Sequence, residues 1–188
     1  LLGKGDHQIT SSWTDQYGDE NATTLGITHS NITFVGKGKD TTTILGGFAV
    51  VDKQNITLKQ MTVTNISEKC NGIELRNAEG IKMVDVASVN CSGFGVYSFA
   101  ASRLVAIRCE MSNNGKSGLR LFNIESNAEA IVHLKDVIIH HNRNSGISAN
   151  GTGTADTTGT VNIHGDATAI HSNGNNGIHV FGSCKVII

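Results

Sequence analysis

A glycine followed by an aliphatic residue returns along this chain as Gly72-Ile73, Gly95-Val96, Gly118-Leu119, Gly146-Ile147 and Gly177-Ile178. The aliphatic positions are 23, 23, 28 and 31 residues apart, and a small or aliphatic companion follows two places later at Leu75, Leu121, Ala149 and Val180. Period two within a unit describes a strand, and a unit of 20 to 50 residues that cannot bury its own apolar side describes one turn of a solenoid. Two further segments recur. One opens each turn (Ile32-Thr-Phe34, Ile56-Thr-Leu58, Ile81-Lys-Met83, Leu104-Val-Ala106, Ile131-Val-His133, Val161-Asn-Ile163), and the other sits between (Met61-Thr-Val63, Val86-Ala-Ser88, Cys109-Glu-Met111, Val137-Ile-Ile139). Three short strands and three corners per turn predict a triangular coil, all-β, whose strands pair in parallel at about 4.8 Å along the axis.

Composition agrees with this architecture. Hydrophobic residues make up 38 % of the 188 residues but aromatics only 5 %, so the core is built from aliphatic side chains. The 22 glycines suit tight corners, and the lack of proline spares the donors of strands bonded on both sides. A formal charge of −1 with no run of five like charges gives no reason to expect nucleic acid. No apolar stretch approaches the roughly 20 residues needed to span a bilayer.

Asn114, Asn142 and Asn173 each stand four residues before a repeat glycine, which predicts an asparagine ladder at one corner. The four cysteines lack the paired spacing of a zinc site; either all are buried free thiols, or Cys70 and Cys91 bridge adjacent turns. Of six Asn-x-Ser/Thr sequons, Asn150 is the glycosylation candidate because its surroundings read as a surface loop.

The segment NITFVGKGKDTTTILGG, residues 31–47, with LLGKGDHQI before it and the repeats ITLKQMTVTNISEKCNGIEL and VIIHHNRNSGISA after it, resembles the right-handed parallel β-helices of the pectin-lyase-like superfamily. The resemblance implies six to seven turns over residues 31–188, after a lead-in coil and irregular loop over residues 1–30. It leaves activity open, because this fold carries lyases, hydrolases, esterases, epimerases and structural proteins. The signatures that its enzymes would imply are incomplete here: there is no Asp-Asp pair, no Gly-His-Gly, no Asp-Pro-His, and Gly80-Ile81-Lys82 lacks the arginine of a polygalacturonase-like site. The aspartates are spread over different turns, so no cofactor is expected, and calcium enters only if the chain is a lyase.

Between the aliphatics of the glycine strand, successive turns carry Glu74, Tyr97, Arg120, Ser148 and His179. These form one outward stripe. Glu74 and Arg120 are the catalytic candidates, and Tyr97, Arg120, Ser148 and His179 the binding candidates, since aromatic stacking beside charged hydrogen bonding suits a sugar; a solvated sheet face explains the same charges. His140 and His171 hold equivalent places and form a weak metal pair with no carboxylate or third ligand in register. Trp13, Asp15, Tyr17, Asp19 and Glu20 either bind a ligand or cover the first coils. Two long turns gain residues at one corner, 123–130 and 150–160, as a spacer or a binding edge that includes Asp156.

The expectation is therefore a non-catalytic module, structural or glycan-interacting, outside the cell or on its surface. The alternatives are a polysaccharide lyase, hydrolase or epimerase, and a rod assembling as a homo-oligomer. Strand-like sequence at both ends leads us to expect part of a longer chain, or ends covered by neighbouring subunits.

Overall fold

The computed structural model describes residues 1–14, 18, 20–100, 102–124, 131–151 and 159–188, and it is a parallel β-solenoid with no helix among them. Seven strands form one flat side, the face sheet: Thr24–Ile27, Gly47–Val51, Ile73–Arg76, Val96–Phe99, Leu119–Ile124, Ile147–Gly151 and Ile178–Gly182, stacked in chain order. A twelve-stranded sheet makes the other two sides. Its strands bend or break at left-handed residues, Gln60, Asp85, Arg108, Asp136 and Gly165, with φ between +51° and +105°. One turn thus crosses two sides, as Ser102–Ile107 and Glu110–Ser112 do around Arg108. A left-handed φ costs most residues about 1–2 kcal/mol, which is why Asn and Asp crowd the corners, at Asn55, Asn77, Asn90, Asn113 and Asp52.

The glycine repeat sets the pairing of the face sheet. Ile73, Val96, Leu119, Ile147 and Ile178 stack in register, and the first four have no exposed surface. Burying each contributes roughly 2 kcal/mol, and the column continues through Leu75, Leu121 and Ala149. One expected alignment is a residue off. Leu104 pairs with Val132 rather than Ile131, and Val132 pairs with Val161, so Val132 and Leu134 point into the core while His133 faces outward. A one-residue slip exchanges the two faces of a strand, and the histidine decides the register because burying it would strand a polar ring.

The asparagine ladder is present and longer than three members. Asn114 Nδ2 donates to Asn142 Oδ1 at 2.9 Å, and Asn142 Nδ2 to Asn173 Oδ1 at 3.0 Å. Each Oδ1 also accepts from the backbone N–H of the preceding turn, while each Nδ2 bonds a strand carbonyl. Cys91 and Asn65 occupy the same corner upstream; the Cys91 N–H donates to Asn114 Oδ1 at 3.0 Å. Among the described residues no buried side-chain nitrogen or oxygen lacks a partner. Three of the repeat glycines, Gly95, Gly118 and Gly146, are required by this ladder and not by a turn. None of the five has a positive φ, but a Cβ on Gly118 would meet Asn142 Nδ2 at 2.8 Å and Ile139 Cγ2 at 2.7 Å. Gly95 and Gly146 abut Asn114 and Asn173 in the same way.

The four cysteines are free; Cys70, Cys91 and Cys109 are buried, while Cys184 is only half-buried because it lies on the last strand. Burial pushes the Cys109 thiol up to about 11, keeping it protonated and inert.

Gly118→Ala should cost roughly 3 kcal/mol, from overpacking and broken ladder bonds, whereas Gly3→Ala, with no atom within 4 Å of the new methyl, should stay within about 0.5 kcal/mol. Urea unfolding of both variants measures this; equal effects would remove the ladder as the reason for the repeat. Asp85 also links adjacent turns, accepting two hydrogen bonds from Arg108 at 2.6 and 2.8 Å, and that hydrogen bonding holds its carboxyl below the ordinary value of 3.8. A lowered native pKa stabilises above the ordinary value and is lost as pH falls through the native one. The melting temperature of Asp85→Asn should therefore lie slightly below wild type at pH 6, and the difference should close below pH 3.8.

Candidate functional site

Two columns of side chains project from the face sheet. One contains Gly26, Ala49, Glu74, Tyr97, Arg120, Ser148 and His179, in register strand by strand. The second, two residues on, contains Val51, Arg76, Phe99, Phe122, Asn150 and Phe181. The stripe is therefore ordered as its spacing predicts, but it is not uniformly exposed. Glu74 is 3 % exposed and Ser148 6 %. Arg120 covers Ser148 by donating to its hydroxyl, and Arg76 with Asn71 covers Glu74.

A cleft of about 560 Å³ opens over Glu74. Its floor is Glu74, Arg76 and Tyr97; Asn71, Phe94 and Lys116 come from the corners that lead into the face sheet on three successive turns. The loop residues Glu68, Lys69 and Cys70 and the strand residues Glu20 and Asn21 complete its lining. Asn71 organises this region. Its Oδ1 accepts the Phe94 N–H at 2.9 Å, and its Nδ2 donates to Glu74 Oε2 at 3.1 Å. Arg76 Nε donates to the other carboxylate oxygen, Oε1, at 2.5 Å. Phe94 and Tyr97 stack with centroids 5.5 Å apart, the Lys116 ammonium lies 4.9 Å from the Phe94 ring, and the Arg76 guanidinium 5.9 Å from the Trp13 ring. A buried carboxylate thus sits between two cation–aromatic pairs. Desolvation raises the Cys70 thiol, so it is no ready nucleophile in this wall.

Arg120 and His179 lie outside the cleft, further along the same face. The Arg120 guanidinium is held between Phe122 and Phe181, 5.2 and 4.9 Å from their centroids, and its burial lowers its pKa from the ordinary value. Asn150 is not in a loop. It belongs to strand Ile147–Gly151 and is half-buried between Phe122 and Phe181, because the face sheet extends one residue past the aliphatic pair before the chain leaves it. Asn65, another sequon, is fully buried.

His140 and His171 stack at 5.2 Å with rings 7° from parallel, as their register predicts, but they have company that the spacing did not reveal. The His141 ring meets both edge-on, and the Glu110 carboxylate reaches to 3.4 Å from His140 Nε2. Among the described residues no three such groups are arranged to hold a metal ion. Asp15, Tyr17 and Asp19, and the inserted residues 125–130 and 152–158 with Asp156, lie outside the described residues. Trp13 packs on Gly26, which places it as a cover on the first turns.

Arg76, Phe94, Lys116 and Asn71 were missed by reading only the position between the aliphatics. The period-two continuation Arg76, Phe99, Phe122 and Phe181 was the available signal; Asn71 and Lys116 sit at corners, where no period operates.

Among solved structures, the A-module of mannuronan C-5 epimerase AlgE4 from Azotobacter vinelandii superposes with a TM-score of 0.69 at 12 % identity, covering 94 % of this chain and 49 % of the epimerase module. ORF18 of Geobacillus virus E2 matches with a TM-score of 0.48 at 14 % identity, covering 98 % of this chain and 53 % of that one. This chain spans about half the length of either. No curated protein matches its sequence. A family model for the right-handed β-helix region matches residues 17–188, and with the parallel stacking, the triangular turns and the ladder already seen, the chain belongs to that family.

Proposed function

We infer that this chain is a glycan-binding β-helix module acting at the cell surface or outside the cell, and that its cleft holds sugar without breaking it. The observation that supports this reading is the state of Glu74. A carboxylate offers about four acceptor positions, and Arg76 and Asn71 use one on each oxygen. What remains is a fixed, ion-paired acceptor, suited to sugar hydroxyls. Tyr97 and Phe94 supply the apolar platform on which the C–H face of a sugar ring stacks, and Lys116 and Arg76 supply donors beside it. The volume, about 560 Å³, matches one or two sugar rings within the usual range of ligand pockets. Glu20 and Glu68 also line the cleft and add acidic acceptors to it.

The test is calorimetric titration against mannuronan, polygalacturonan and a mixed-linkage β-glucan, with parallel assays for new reducing ends and, by NMR, for epimerised residues. Mannuronan is included because the epimerase with this fold is named for it. Binding to at least one polymer without chemical change is expected, and Tyr97→Ala should weaken it about tenfold, equivalent to about 1.4 kcal/mol. Chain cleavage or epimerisation lost in Glu74→Gln would overturn the non-catalytic reading. The Glu74 network has its own signature: Arg76→Ala leaves a buried carboxylate short of a partner and should cost about 2–3 kcal/mol, more than Glu74→Gln, in urea unfolding.

A further inference from the structure

We propose that the cleft engages the end of a glycan chain and not its interior, an inference that rests on the glycan-binding reading above. A polymer lying along the solenoid axis would follow the outward columns from turn to turn. Among the described residues that path is open in one direction only. Beyond the cleft toward the C-terminal turns, Arg120 and His179 in one column and Phe122 and Phe181 in the other continue the face. From Glu74 to His179 is four turn spacings, roughly 19 Å along the outward side of the sheet.

In the other direction the face is blocked. The column shrinks to Ala49 and then Gly26, and Trp13 occupies the space: its Cδ1 lies 2.9 Å from where a Cβ on Gly26 would stand. The ring therefore packs on the bare backbone. Trp13 also lies against Arg76, and its strand, Trp13–Thr14, pairs antiparallel with Glu20–Asn21, which lines the cleft. This is the one antiparallel pairing among the described residues, and it lies on the face that would otherwise run on past Glu74. A chain passing through would have to displace it, whereas a chain terminus fits against it.

The wall has chemistry suited to a terminus. A terminal sugar carries a free hydroxyl where an internal residue has its glycosidic oxygen, so it offers one more donor. Glu20, on the hairpin that carries Trp13, lines the cleft and brings a carboxylate to it. A site built to take a hydroxyl discriminates strongly against an analogue that lacks it, because the site's own polar group is left unpaired.

Binding stoichiometry separates interior from end recognition without any variant. Whichever of mannuronan, polygalacturonan or β-glucan binds is cut into a short and a long fraction, and the number of protein molecules per glycan chain is measured by calorimetry and sedimentation. The expected result is the same number per chain for both fractions, with affinity per chain unchanged, and a loss of about tenfold in Glu20→Ala for either. Protein bound in proportion to chain length would overturn end recognition while leaving glycan binding intact. No binding to any of the three would overturn the glycan-binding reading, and the present inference with it.

Discussion

Everything in this solenoid depends on the approach of one backbone to another at the ladder corner. Parallel turns stack about 4.8 Å apart, and at that spacing the asparagine carboxamide of one turn must share space with the strand that begins in the turn before. Only glycine leaves room, as the 2.7–2.8 Å contacts that a methyl would make at Gly95, Gly118 and Gly146 show. In return the carboxamide bonds its neighbour, the corner N–H and a strand carbonyl, so a buried corner carries no orphaned polar group. The asparagine and the glycine are thus two halves of one device. Where the asparagine is replaced by Cys91, the preceding glycine, Gly72, still faces it, and a methyl added there would meet the sulfur at 2.7 Å.

With register fixed at that corner, the face sheet has no freedom left in how it displays side chains. Every outward residue sits over its counterpart, so one substitution in the repeat places a chemical group at a known height along the axis. Small residues at Gly26 and Ala49 admit Trp13; a long acid at Glu74 meets Arg76 and Asn71; Tyr97 and Phe94 follow one turn later. The floor of the cleft is therefore a consequence of varying side-chain length along a regular column, and residues 68–70 wall it on one side. Its limits are visible in the same terms: past Tyr97 the column holds Arg120, whose guanidinium is engaged by two phenylalanines and by Ser148.

The architecture was legible because it repeats. Period two within a strand and a recurring glycine between turns are long-range signals, and they placed Ile73, Val96, Leu119 and Ile147 in one column and Asn114, Asn142 and Asn173 in another. They failed where an insertion interrupts the count, so that Ile131 was aligned in place of Val132 and Asn150 was read as loop. The site was legible only in part. Period two identifies which residues point outward, but burial of an outward residue depends on its neighbours' reach, and the sequence does not show that Arg76 and Asn71 fold over Glu74. The histidine cluster repeats the lesson: the stack of His140 on His171 follows from register, whereas the approach of Glu110 comes from a side chain two residues along the adjacent strand.

The fold therefore constrains function unevenly. A solenoid core fixes positions along the axis to within a fraction of a turn, which favours recognition of a repeating, extended ligand over a compact one. The side chains held best here owe their positions to bonding and packing. Glu74 is rigid because both of its oxygens are bonded, Cys109 is inert because it is buried, and Arg120 is oriented because it is wedged between rings. The same packing that orders these side chains makes the face a precise template, with each group held at a fixed height along the axis.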